Sequence, residues 1–171
     1  MALHSRIDMK NALGLVVPLL LILVAFEAGA FDDQDTKLID AYIASQARRE
    51  RGQEYKEARK IATGDLNHDG IPDIAVLYTI EGQRGTNLSV QYLAVFVRSD
   101  GKLVALTRAE VGGRGGRSVE LKSIDDNTLH FDTLDYAAKD AACCPSVKGE
   151  TSYVLAGNVL KEQKKVPSRR K

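Results

Sequence analysis

The chain of 171 residues has little of what most enzymatic and metal chemistries require. It has two cysteines, adjacent at Cys143 and Cys144, and three histidines, His4, His68 and His130. That excludes a multi-bridge disulfide framework. It also leaves a soft-metal site without enough ligands, since His68 and His130 are not spaced to serve one. No stretch repeats, which at this length excludes a propeller or array. No Lys-Ser or Lys-Thr pair follows the glycine-rich run Gly112-Gly113-Arg114-Gly115-Gly116-Arg117, and no dinucleotide fingerprint accompanies it. The run is read as a loop joining two strands, not a phosphate cradle. Large charge imbalance is missing too. Basic residues gather at the end (Lys161, Lys164, Lys165, Arg169, Arg170, Lys171), and residues 31–160 carry 16 basic and 20 acidic side chains. A net of −4 over that stretch offers no nucleic-acid surface. The end of the chain, 163–171, is expected to be a solvated basic tail.

The apolar run at the start is short for a membrane span. Arg6 and Lys10 precede Ala12 to Phe26, which Gly14 and Pro18 interrupt, and Ala28-Gly29-Ala30 follows. A basic segment, an apolar segment and small residues form the layout of a secretory signal peptide over 1–30. An uncleaved anchor is the other reading. Expectation therefore places a single domain at 31–162 in the periplasm or outside the cell, in an oxidising compartment that calcium can reach.

What is present centres on Asp65-Leu66-Asn67-His68-Asp69-Gly70-Ile71-Pro72-Asp73. Asp65, Asn67 and Asp69 put oxygen-bearing side chains at alternate positions, Gly70 permits a left-handed turn, and Asp73 returns a further carboxylate. With the backbone carbonyl of Ile71 this is the donor set of a Ca²⁺ loop, because a hard cation needs six to eight oxygens at about 2.3–2.6 Å. Val76 stands where an EF-hand has its bidentate Glu, and a strand, not a helix, follows. The pattern resembles the Asp-x-Asn-x-Asp-Gly-x-x-Asp loops of FG-GAP and integrin-type repeats, a resemblance that implies a site steadying a turn. The alternative is a metal-free turn held by Asx hydrogen bonds.

Along the chain, Asp35 is placed as the cap of a helix whose apolar stripe is Leu38, Ile39, Tyr42, Ile43 and Ala47, with Gly52 as its stop. Strands are expected over 57–63, 74–80, 90–98, 103–111, 119–124 and 128–136, with a strand or hairpin over 152–160. Ser99-Asp100-Gly101-Lys102 and Asp125-Asp126-Asn127 are the hairpin turns. The expected fold is α+β, an antiparallel sheet of about six or seven strands with one N-terminal amphipathic helix packed on one face.

Cys143 and Cys144 are read as a vicinal disulfide, which would hold the Cα atoms at about 3.8 Å, below the usual separation. Intermolecular or free thiols, and redox or metal chemistry, are the alternatives. The order of leader, helix, Asp-Leu-Asn-x-Asp-Gly-x-x-Asp loop, Val-Gly-Gly loop, Tyr136, Asp140 and Cys143-Cys144-Pro145-Ser146 resembles a group of small exported bacterial envelope proteins. The resemblance spans about residues 35–162 and brings no activity with it. The expected function is a non-enzymatic, Ca²⁺-stabilised domain that binds a protein or envelope component, without nucleic acid and without a membrane span after signal cleavage. The alternatives are a thiol-redox or hydrolytic enzyme using Cys143 and Cys144, and an inhibitor or regulator of an envelope enzyme. Ser118, Ser146 and Ser152 have no partner in the sequence that would make one of them a nucleophile.

Overall fold

The computed structural model describes residues 31–141 and 143–163. The signal-peptide expectation for 1–30 and the tail beyond Gln163 lie outside the described residues. The one α-helix among the described residues, α1 (Asp33–Glu50), starts at Asp32, whose carboxylate accepts the Asp35 N–H at 2.8 Å. The cap thus falls three residues before the expected Asp35. Asp35 is instead buried in the first turn and forms an ion pair with Arg98, 63 residues away. At the other end Arg51 takes the left-handed conformation (φ 54°), and the Gly52 N–H donates to the Ala47 carbonyl at 3.0 Å. Gly52 is needed for closeness: a Cβ there would lie 2.5 Å from the Glu81 carbonyl oxygen.

Nine strands follow among the described residues: β1 (Gln53–Glu54), β2 (Lys60–Gly64), β3 (Asp73–Glu81), β4 (Ser89–Ser99), β5 (Lys102–Gly113), β6 (Ser118–Asp125), β7 (Thr128–Asp135), β8 (Val147–Ala156) and β9 (Val159–Gln163). The α+β expectation holds, with one N-terminal helix on antiparallel strands, but the single sheet of six or seven strands does not. There are two sheets. The first has five strands in the order β1-β3-β4-β5, with β2 pairing the same side of β3 further along, and the second has four in the order β6-β7-β8-β9.

The burial of β3 explains the split. From Asp73 to Ile80 every residue is buried, so both faces of the first sheet must be covered. Ile39, Ile43 and Ala47 of α1 cover Ile74, Val76, Tyr78 and Ile80 on one face. On the other, Ala75, Leu77, Leu93 and Val95 meet Val119, Leu121, Leu129, Phe131, Tyr153 and Leu155 of the second sheet. The result is three layers, helix on sheet on sheet. The strands β6 and β7 are buried at alternate positions, as strands with one wet face are. Each fully buried large apolar side chain contributes about 1.5–3 kcal/mol.

Both predicted hairpin turns form, with Asp100 and Gly101, then Asp126 and Asn127, at positive φ. The pairing of β4 with β5 is irregular in two places, leaving Leu106 and Val111 as bulges, and both reach the core between the sheets.

The Arg98–Asp35 pair is nearly dry, its side chains 13% and 5% exposed, and it ties the start of α1 to β4. Arg98→Ala would strand a buried carboxylate and is expected to cost about 3–5 kcal/mol, whereas Arg98→Met with Asp35→Leu should restore most of it. Urea unfolding decides this. A single-variant loss under about 1 kcal/mol would mean that the pair does not hold the helix.

Candidate functional site

Two polar regions lie at opposite ends of β3. At its start is the loop 65–73, where the backbone folds round its own side chains. Asp65 Oδ1 accepts N–H bonds from His68 (2.7 Å) and Asp69 (3.2 Å), and Oδ2 accepts from Gly70 at 2.9 Å. Asn67 Oδ1 accepts the Asp69 N–H at 3.0 Å and Asn67 Nδ2 donates to Asp69 Oδ2 at 2.9 Å. Asp69 Oδ1 accepts the Ile71 N–H at 2.7 Å. Gly70 has φ 80°, with open space where a Cβ would be, so its role here is conformational. Desolvation is the largest single influence and raises the Asp65 pKa, but the N–H groups of Gly70, His68 and Asp69, with the nearby His68 side chain, together hold it below the usual carboxylate range.

Asp73 differs from the other ligand candidates in being fully buried. Its Oδ2 accepts the Leu66 N–H at 3.1 Å and its Oδ1 the Arg98 N–H at 3.3 Å. Desolvation pushes its pKa up; the two N–H groups oppose this, and the nearby charges of Asp69 and Asp65 add to it. The Arg98 guanidinium is turned to Asp35, so Asp73 has no ion pair among the described residues. In the same residues no group of three or more His, Cys, Asp or Glu side chains is gathered as a metal cluster. The structure thus brings Asp65, Asn67, Asp69, Ile71 and Asp73 into one loop, joined through backbone hydrogen bonds.

At the far end of β3 lies the segment after β7. Cys143 and Cys144 are bonded to each other, with Cα atoms 3.8 Å apart, and both are exposed. Asp140 organises this segment. Its Oδ2 accepts the N–H groups of Ala137 (2.8 Å) and Ser146 (2.9 Å), and the Ser146 hydroxyl donates to the carboxylate at 2.9 Å. These contacts, the Ala137 N–H foremost, hold the Asp140 pKa below the usual carboxylate range despite slight desolvation. This role of Asp140 has no local sequence signal, because it depends on Ala137 and Ser146 being drawn together.

The glycine-rich run is a crossing between the sheets. The N–H groups of Gly113, Arg114 and Gly116 donate to the carbonyls of Arg117, Ser89 and Gly113, so three of the amides a phosphate would need are turned to protein. A Cβ on Gly113 (φ 149°) would lie 2.5 Å from the Ser89 carbonyl oxygen.

The candidate enzymatic residues are scattered. His68 is exposed in the 65–73 loop, Ser146 is bonded to Asp140, and Ser118 opens β6. His130 stands opposite Ser152 across β7 and β8, on the outer face of the second sheet, without a hydrogen bond between them. That juxtaposition follows from register and is invisible in the sequence. No family model, no curated protein and no solved structure matches the chain.

The Asp140 carboxylate supplies a pH test of the segment. Because its folded pKa is depressed, it stabilises the closed segment above the unfolded pKa, and that contribution is lost as pH falls through the folded pKa. The amide NMR signals of Ala137 and Ser146 are expected to titrate together with a midpoint below the ordinary carboxylate range, and Asp140→Asn should abolish the transition. A midpoint at or above that range would refute the role assigned to this carboxylate.

Proposed function

We propose that the chain is a non-enzymatic, exported domain, periplasmic or secreted, that binds a protein or envelope component and is steadied by Ca²⁺ at the loop 65–73. The observation that carries the metal reading is the environment of Asp73. A buried carboxylate whose hydrogen bonds come from backbone N–H groups, with Asp65 and Asp69 close enough to raise its pKa, is costly in the absence of a cation. The donors suit a hard ion: the carboxylates of Asp65, Asp69 and Asp73, the side-chain oxygen of Asn67 and the Ile71 carbonyl. Bound Ca²⁺ would supply the charge that offsets these acids. The chain's own part is to keep them together, through the N–H bonds to Asp65 and the left-handed turn at Gly70.

A binding role is favoured over catalysis by the dispersal of the candidate groups. His68 and His130 are exposed, and neither shares a hydrogen bond with a serine or a cysteine among the described residues. No described helix is long and apolar enough to cross a membrane.

Calorimetric titration of Ca²⁺ into the metal-stripped full chain is expected to show one site, with Kd about 10⁻⁴–10⁻³ M as in extracellular modules. Asp65→Ala and Asp69→Ala should each abolish the heat. At a free Ca²⁺ concentration of 100 times Kd the wild-type chain should gain about 2.7 kcal/mol of stability, and neither variant should. Absence of both heat and stabilisation at 10 mM Ca²⁺, roughly ten times the weakest Kd expected, would reduce the loop to a turn.

A further inference from the structure

The interior between the two sheets changes character along its length. On β3 the residues facing the second sheet are Ala75 and Leu77, both in the core, and then Thr79. On β4 they are Val95 and Leu93, then Gln91 and Ser89, which stand opposite Thr79 and Glu81. The apolar filling therefore stops two residue pairs short of the end, and a cleft of about 300 Å³ opens there. Thr79 and Ser89 line one side, Arg114 and Ser118 the crossing between the sheets, and Tyr136, Cys143 and Pro145 the other side. A second cleft of about 310 Å³ adjoins it and shares Ser89, Gly113 and Arg114.

Three features of this mouth point to a ligand. The first is polar capacity left unused. Thr79 is only 7% exposed, yet its hydroxyl makes no hydrogen bond among the described residues, and the same holds for the hydroxyls of Ser89 and Ser118. Thr79 lines the cleft, so its hydroxyl, like those of Ser89 and Ser118, is left to water or to a ligand there. Gln91, by contrast, is occupied: its side chain accepts the Val119 N–H at 2.8 Å and donates to the Val119 carbonyl at 3.0 Å, pinning β6 to β4 beside the cleft.

The second feature is charge. Arg59, Arg98, Arg108 and Arg117 each form an ion pair with a carboxylate. Arg114 forms none among the described residues, nor do Arg48, Arg49, Arg51 and Arg84, but of these five only Arg114 lines the cleft. Its backbone N–H is fixed to the Ser89 carbonyl (2.8 Å) and its guanidinium donates to the Asn87 carbonyl at 3.1 Å. The cation is thereby anchored at the lip of the cleft with most of its donors unspent.

The third feature is the Cys143–Cys144 bond. It encloses no intervening residues, so it stabilises little by loop closure, and both residues are exposed, so it adds nothing to a core. Its remaining physical effect is to fix the shape of a segment that Asp140 already clamps, and that segment holds Cys143 and Pro145 against the cleft. A fixed, weakly polar wall with Tyr136 beside it faces hydroxyls and a guanidinium.

We propose that this mouth is a binding site for one carboxylate-bearing sugar ring. Arg114 would take the carboxylate, for which its planar fork is suited. The hydroxyls of Thr79, Ser89 and Ser118 would take ring hydroxyls, and the wall formed by Cys143, Pro145 and Tyr136 would lie along the C–H face of the ring. A cavity of about 300 Å³ is at the small end of ligand pockets, which fits a single ring with chain continuing outward. The site is remote in the fold from the loop 65–73 and does not depend on Ca²⁺ there, so either reading can fail alone.

The test is titration of the full chain with glucuronate, glucose and acetate, followed by amide NMR and repeated with chelator present. Saturable glucuronate binding is expected, about tenfold or more tighter than either glucose or acetate and unchanged by chelator. Arg114→Gln should erase the advantage over glucose. Thr79→Val should weaken both sugars about three- to tenfold, while leaving stability equal or higher, because the lost hydroxyl has no protein partner. Signals of Ser89, Gly113, Ser118 and Cys143 should move on binding. No saturable glucuronate binding would overturn the proposal. So would affinity unaltered in both variants, acetate binding as tightly as glucuronate (a bare anion site), or signal changes confined to residues 65–73.

Discussion

Every side chain of β3 from Asp73 to Ile80 is buried, and the demand that both faces of this strand be kept dry organises the molecule around it. One helix can cover one face. The other requires a surface as broad as the sheet itself, which β6 to β9 provide. The coverings differ in how they attach. The helix is tied by ion pairs, Asp35 to Arg98 and Asp40 to Arg59, while the second sheet is held by apolar contact and by Gln91 reaching across to Val119.

The ends of β3 are where this rule stops applying, and both candidate sites are there. At the start, Asp73 faces inward and accepts N–H bonds from both the preceding loop and β4, so the geometry of the loop is coupled to the first sheet. At the far end, Thr79 continues the inward-facing line with a hydroxyl in place of a methyl group. In both places a polar group occupies a position that the pattern of burial reserves for an apolar one. Departures of this kind cost stability and gather where binding occurs.

Most strand positions were legible because those strands have strong local patterns; β1, the 3-10 turn at Lys56–Ala58 in place of the start of the expected strand 57–63, and the first five residues of β8 were not. The run Ile74-Ala75-Val76-Leu77-Tyr78, short and closely followed by Gly82, reads as a strand dry on both faces, and Asp100-Gly101 and Asp126-Asn127 can adopt the positive φ that tight hairpins need. The number of sheets was not legible. The crossing at Gly113 to Arg117 reads as a loop in either arrangement, and whether β6 continues beside β5 or packs beneath it depends on contacts far apart in sequence. The same limit explains Asp35. Two aspartates three residues apart can each cap a helix, and only the distant Arg98 decides that Asp35 turns inward. The loop 65–73 was recognisable from spacing, but the burial of Asp73 was not, because it arises from β4 lying alongside. The cleft had no local signature at all. Its walls come from β3, β4, the inter-sheet crossing and the segment after β7, and only the fold brings them together.

The bulges at Leu106 and Val111 bear on how the molecule behaves in company. The strand β5 is the last in its sheet, and a long terminal strand is a template on which another chain can add itself and begin a fibril. Between the interruptions its regular stretches are 102–105, 107–110 and 112–113, none longer than four residues. An incoming strand would lose register after each one. The irregularities that bring Leu106 and Val111 to the core thus also guard the edge against aggregation, by shape and alongside the charges of Lys102, Arg108 and Glu110 on the same strand.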